Sequence, residues 1–133
     1  MDLVRDAMVA DPLALGADQS AREAGEALAR PDVRAVFVCD AGGRLVGVVT
    51  RKTLVREVVA AGRDPGSTPL GAIAEPPNAT LESTMPLGDA FAFVEERDFE
   101  RVPVVEHGRL VGVLARAVVQ RRLAEDEPPA DDP

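Results

Sequence analysis

Residues 43–51 read GRLVGVVTR, and residues 108–116 read GRLVGVLAR. Seven of the nine positions are identical, and at about one chance match in ten per position for common residue types coincidence does not account for this. The chain contains an internal repeat. That constrains its folding more than any other feature, because whatever one copy forms the other must form too, within 133 residues. Such a length holds one compact domain, or two half-domains that share a core.

Extending the repeat upstream, with one extra glycine allowed in the first copy, lays VRDAMVADPLALGADQSAREAGEAL over LGAIAEPPNATLESTMPLGDAFAFV. Leu15 then falls on Leu81 and Ala24 on Ala90. Both copies predict the same elements. An extended piece at Leu13–Leu15, matched by Ala79–Leu81, precedes a helix. In the first copy Ser20 and Glu23 have the spacing of a capping box, and Ala24, Ala27 and Leu28 form an apolar stripe. In the second, Pro86 suits a first-turn position, and Leu87, Ala90, Phe91 and Val94 form the stripe. Two strands with a tight turn follow, Ala35–Cys39 and Leu45–Val49, then Val102–Val105 and Leu110–Leu114. A closing helix carries Leu54, Val55, Val58 and Val59 in one copy and Val118, Val119 and Leu123 in the other. The order is β-α-β-β-α, twice, an α/β (α+β) fold of small sheets covered by helices.

One such unit cannot bury its sheet face and both helix stripes alone, so the expectation is two copies packed face to face about a pseudo-twofold axis. The boundaries are 2–61 for the first motif, 62–69 for a Gly- and Pro-containing linker, and 70–124 for the second. Residues 125–133, EDEPPADDP, read as a disordered acidic tail. The tail holds five of the negative charges behind the formal net charge of −8, which leaves the body close to −3.

Composition then excludes several functions. An acidic chain whose aromatic residues are Phe37, Phe91, Phe93 and Phe99 lacks the basic face and stacking platform that nucleic acids require. It has no apolar run of membrane-spanning length, and MDLVRDAMVADP lacks the pattern of a secretion signal. The localisation expected is cytoplasmic. Catalysis needs a nucleophile with its base, paired carboxylates in a cleft, or metal ligands. The one histidine, His107, falls in a tight turn, and the one cysteine, Cys39, ends an apolar strand as an inert thiol. No metal-ligand constellation is present. The expectation is a protein without catalytic or metal-binding residues.

The combination of VRDAM near the start, an apolar pair after DP, a helix with a central EA, the VPVV strand at Val102–Val105 and GRLVGV running into a helix resembles a tandem pair of cystathionine-β-synthase-type (CBS) domains over about residues 2–124. The resemblance implies a stand-alone regulatory or sensor module with no chemistry of its own. It also implies clefts between the copies that take AMP, ADP, ATP or S-adenosylmethionine, an unidentified regulated protein, and dimerisation into a flat disc of four motifs. The apolar stretch Leu54, Val55, Val58 and Val59 likewise predicts a homodimer.

Nucleotide-binding members resemble G-h-h-T/S-x-x-D, where h is apolar, the hydroxyl residue opens the last helix near the phosphates, and the aspartate binds ribose. Here the first copy reads Gly47-Val48-Val49-Thr50-Arg51-Lys52-Thr53 and the second Gly112-Val113-Leu114-Ala115-Arg116-Ala117-Val118. The first keeps the hydroxyl and has Thr53 for the aspartate; the second has Ala115 and Val118. Thr50 can cap the helix whose first N–H groups attract phosphate, with Arg51 and Lys52 in that turn. Arg101 stands where the family pattern H-R-x-P places its phosphate arginine, with Glu100 for the histidine, and Arg34 precedes the equivalent strand of the first copy. The candidate ligand residues are thus Thr50, Arg51, Lys52, Thr53, Arg34, Arg101 and Arg116. Two functions remain: a small-molecule sensor, or a structural dimerisation and protein-interaction module whose clefts have degenerated.

Overall fold

The computed structural model describes residues 2–10 and 12–126. In chain order the elements are α1 (Val4–Ala7), β1 (Val9–Ala10), β2 (Ala14–Gly16), α2 (Ala21–Leu28), β3 (Val36–Cys39), β4 (Leu45–Val49), α3 (Arg51–Leu54) running into a π-helical turn (Val55–Val59), a 3-10 turn (Leu70–Ala72), β5 (Leu81–Glu82), α4 (Leu87–Arg97), β6 (Arg101–Glu106), β7 (Arg109–Ala115) and α5 (Arg116–Asp126). The expected mixed α+β architecture of small sheets and helices is present. The chain packs as two compact units, one of residues 12–78 with 107–110, the other of residues 2–10, 79–106 and 111–126.

In the first unit the sheet order is β2-β3-β4, with β2 parallel and β4 antiparallel to β3. Val36 and Val38 are buried while Phe37 and Cys39 are half-buried, the two-residue period of a strand with one face on the core. Ala21, Ala24 and Leu28 of α2 close that core with Val49, Val58, Leu70 and Ile73. The capping box forms as the sequence predicts: the Glu23 N–H donates to Ser20 Oγ at 3.2 Å, and the Ser20 N–H donates to the Glu23 carboxylate at 3.5 Å. The linker supplies the remaining acceptors. The Ala21 N–H donates to the Thr68 carbonyl at 2.8 Å and the Arg22 N–H to the Pro65 carbonyl at 3.1 Å, so three N–H groups that an open helix end leaves unpaired have partners.

In the second unit the order is β1-β7-β6-β5. Val102 to Val105 are buried without alternation, as expected of a strand covered on both faces. Leu87, Ala90 and Val94 of α4 and Val119 of α5 pack on them, with Phe91, Phe93, Phe99 and Leu123 at the margin. Pro86 is the N-cap of α4 and not a residue of its first turn, and Asp98 ends the helix in the left-handed region at φ 57°.

Each repeat lends its opening segment to the unit built on the other. Val4 and Ala7 of the VRDAM segment lie in the second unit's core, the Val4 N–H donates to the Met85 carbonyl at 2.9 Å, and Val9 pairs antiparallel with Val113. The equivalent residues Leu70 and Ile73 lie in the first unit's core, and Glu75 pairs antiparallel with Val48. The glycines of the repeated motif permit this. A Cβ at Gly47 would stand 2.6 Å from the Glu75 carbonyl oxygen, and one at Gly112 would stand 2.8 Å from that of Val9, both closer than real contacts allow.

The stretch Leu54, Val55, Val58 and Val59 divides: the wider π-helical turn aims Val58 at the core and leaves Val55 59% and Val59 73% exposed. The helix α5 runs through Glu125 to Asp126; the rest of the expected tail, residues 127–133, lies outside the described residues.

Candidate ligand-binding site

Thr50 follows the last residue of β4 and is the N-cap of α3. Its Oγ1 accepts from the Thr53 N–H at 3.3 Å, and Thr53 Oγ1 accepts from the Thr50 N–H at 3.0 Å. The two hydroxyl oxygens are 3.1 Å apart. Thr53 is 0% exposed. The threonine that stands for the family's aspartate therefore closes its own helix end and offers no outward hydroxyl.

The two cations of this turn diverge. Arg51 donates to the Arg30 carbonyl, beyond the end of α2, at 2.8 Å, which places a positive charge at a helix C-terminus, where the backbone dipole favours it. Lys52 is exposed and has no ion-pair partner among the described residues. Arg34 is exposed in the segment between α2 and β3.

The second unit arranges its cations differently. The Arg116 side chain, 22% exposed, lies 2.9 Å from Asp98 and 3.5 Å from Glu100, and the backbone N–H of Arg116 donates to the Glu100 carbonyl at 2.9 Å. The hydrogen bond to Asp98, followed by the charges of Asp98, Glu95 and Glu100, holds its guanidinium pKa above the ordinary value. Arg101 is exposed at the start of β6. The structure thus joins Thr50 to Thr53 and sets Arg116 beside the strand that carries Arg101. Motif reading named Glu100 only at the family's histidine position and did not name Asp98; their pairing with Arg116 spans 16 and 18 residues and leaves no local signal.

Cys39 is half-buried, and desolvation, then the neighbouring Asp40 charge, pushes its thiol pKa up, the opposite of nucleophile activation. The described residues contain no group of three or more His, Cys, Asp or Glu able to hold a metal ion. No described helix is long and apolar enough to cross a membrane. Among the described residues an apolar groove of about 390 Å³ lies between α2 and the π-helical turn, lined by Ala21, Gly25, Ala29, Leu54, Val58 and Val59 among others.

Known proteins share this organisation. Hypoxic response protein 1 of Mycobacterium tuberculosis is 29% identical over 125 residues, covering 94% of this chain and 87% of that protein. The crystal structure of Hypoxic Response Protein I with two coordinated zinc ions superposes with a TM-score of 0.77 at 28% identity, covering 92% of this chain and 99% of that one. The structure of CBSX2 in complex with AMP superposes with a TM-score of 0.74 at 25% identity, covering 94% and 98%. The CBS domain family matches twice, over residues 4–60 and 70–125. With nearly all of its length accounted for by those two matches, the chain belongs to the CBS domain family as a tandem CBS pair.

Proposed function

We propose that this CBS pair is a homodimeric regulatory module that senses an adenine nucleotide through the first repeat, gripping it by the phosphate and not by the ribose. The regulatory, non-enzymatic class is that of CBS-pair modules in general. The difference between the two helix starts carries the finer reading. In the first, the Thr50 hydroxyl and the unpaired Lys52 stand at an N-terminal turn, which favours anions. In the second, Ala115 has no hydroxyl, and two carboxylates already neutralise Arg116. CBSX2, a structural neighbour, is an AMP complex, in keeping with a nucleotide at such a module. Because Thr53 is buried and bonded to Thr50, ribose gains little, and S-adenosylmethionine, which has no phosphate, is the weaker candidate. The zinc of Hypoxic Response Protein I is not carried over, since His107 and Cys39 are this chain's one histidine and one cysteine.

Titration calorimetry with AMP, ADP, ATP and S-adenosylmethionine tests the reading. The phosphorylated ligands bind, Lys52→Ala weakens them about tenfold or more, as loss of a charge-assisted contact of about 1.5–3 kcal/mol requires, and Arg116→Ala leaves them unchanged. Loss of binding in Arg116→Ala with retention in Lys52→Ala refutes the assignment.

The second reading, an interaction module with degenerate clefts, has its own observation. Val55 and Val59 protrude beside the apolar groove that Val59 also lines. A knob and a hole on one face are the elements of a self-complementary, twofold contact, so a second copy of this chain is the occupant proposed. If no nucleotide binds but the dimer persists, this reading replaces the sensor.

A further inference from the structure

The repeat delivers one arginine per copy to the same place. Arg44 and Arg109, the second residues of the two GRLVGV motifs, form an antiparallel bridge within the first unit. The Leu45 N–H donates to the Gly108 carbonyl at 3.0 Å and the Leu110 N–H to the Gly43 carbonyl at 3.1 Å. Bonds that flank the pair in this way mark Arg44 and Arg109 as a non-hydrogen-bonded pair, the register that brings opposed side chains closest, with Cα atoms about 4.5 Å apart. The two side chains leave the same face of the ribbon. Like charges directly opposite one another are destabilising, and neither arginine has an ion-pair partner among the described residues. The adjacent carboxylate, Asp40, is turned into its own loop, where Oδ1 accepts from the Gly42 and Arg44 N–H groups at 2.9 and 3.0 Å.

One of the two guanidiniums is already positioned. Arg44 reaches across the bridge and donates to the His107 carbonyl at 3.3 Å. Its head fills the space over Gly108, where a Cβ would stand 2.7 Å from the guanidinium nitrogen. Gly108 also adopts φ 80°, and His107 before it φ 51°, so this turn both bends left-handed and leaves room for the arginine. Arg109 is exposed and makes no side-chain hydrogen bond of its own among the described residues. Two planar forks, one held at the turn and one without a side-chain hydrogen bond among the described residues, leave the same face of the ribbon.

We propose that Arg44 and Arg109 form a receptor for a phosphate group, separate from the Thr50 helix start. A carboxylate offers two oxygens and one charge, which one arginine fork satisfies; a phosphate offers more acceptor oxygens and a charge approaching two, which matches two forks. Free inorganic phosphate and the phosphate of a small phosphomonoester present this same chemistry.

Backbone and arginine side-chain NMR, with inorganic phosphate titrated against chloride at constant ionic strength, tests it. Phosphate shifts the Gly43 and Gly108 amides and the Nε signals of Arg44 and Arg109. Arg44→Gln and Arg109→Gln each weaken those shifts at least tenfold, Arg109→Lys weakens them less, and Arg63→Gln, which removes an exposed charge elsewhere, leaves them intact. Both arginines are exposed, and retention of the wild-type amide pattern outside the two turns verifies that the variants fold. Tighter binding of glycerol 2-phosphate than of phosphate upholds the site with a phosphomonoester as its ligand; equal or weaker binding upholds it with the free anion. Unchanged phosphate shifts in the Arg44→Gln/Arg109→Gln double variant, or acetate acting as strongly as phosphate, would overturn the proposal. The outcome is independent of nucleotide binding at Thr50, which these variants leave in place.

Discussion

Thr53 shows how one residue sets what a site can bind. Its methyl suits a fully buried position, and its hydroxyl accepts from the Thr50 N–H. Thr53→Val keeps the shape and removes that acceptor, leaving an N–H short of a partner. The expected cost is about 1–3 kcal/mol in urea unfolding, together with weaker nucleotide binding because the Thr50 hydroxyl loses its bracing contact. An unchanged midpoint would mean that water replaces the bond. Cys39 illustrates the reverse case, a reactive type made unreactive by its place. Since its folded pKa is raised above an ordinary value of 9.0, the folded state holds the proton more tightly than the unfolded chain. Its contribution is complete below about pH 9 and is lost as pH rises through the folded value. Alkylation by iodoacetamide at pH 8 is accordingly slow in the native protein and rises to the rate of a free thiol on denaturation.

At the scale of elements, α2 depends on its ends more than on its length. With eight residues it is too short to persist by propensity, and its start is held by Ser20, Glu23 and two linker carbonyls. Ser20→Ala is expected to cost about 1 kcal/mol. Glu23 adds a pH dependence: hydrogen bonds from the Gln19 side chain, then from the Ser20 backbone and hydroxyl, lower its pKa from 4.5. The stabilisation is therefore present above about pH 4.5 and disappears as pH falls through the lower folded value. In acid titrations followed by circular dichroism, Glu23→Gln loses less stability between neutral and acid pH than the wild type does. A linker with glycine and two prolines reads as a spacer in sequence. Its carbonyls make it part of the helix cap, which only the folded path of residues 65–68 reveals.

At the scale of the whole molecule, the exposed valines of the π-helical turn lead to a prediction about assembly. If Val55 and Val59 seat in the groove of a second copy, burying them contributes about 1.5–3 kcal/mol per side chain, and Val59→Glu places an unpaired charge in that contact. The expected result in light scattering at tens of micromolar is a dimer for the wild type and a monomer for Val59→Glu, with the amide pattern of the core unchanged. A monomeric wild type removes the homodimer from the proposed function.

The sequence by itself determined the repeat, the β-α-β-β-α order, the capping box at Ser20 and Glu23, and most of the apolar positions in each core, because these follow from local spacing and burial periodicity. It also revealed the missing aspartates, since a motif departure is visible in letters. What only the tertiary structure decided depends on which distant groups meet. Arg116 is neutralised by acids 18 and 16 residues away, Arg51 is drawn to a carbonyl 21 residues away, and the opening segment of each repeat pairs with the last strand of the other. Arg44 and Arg109 are the clearest instance. The sequence repeats an arginine at an interval of 65 residues, but an antiparallel register alone makes the two copies opposite neighbours, because register sets which like charges must share one face.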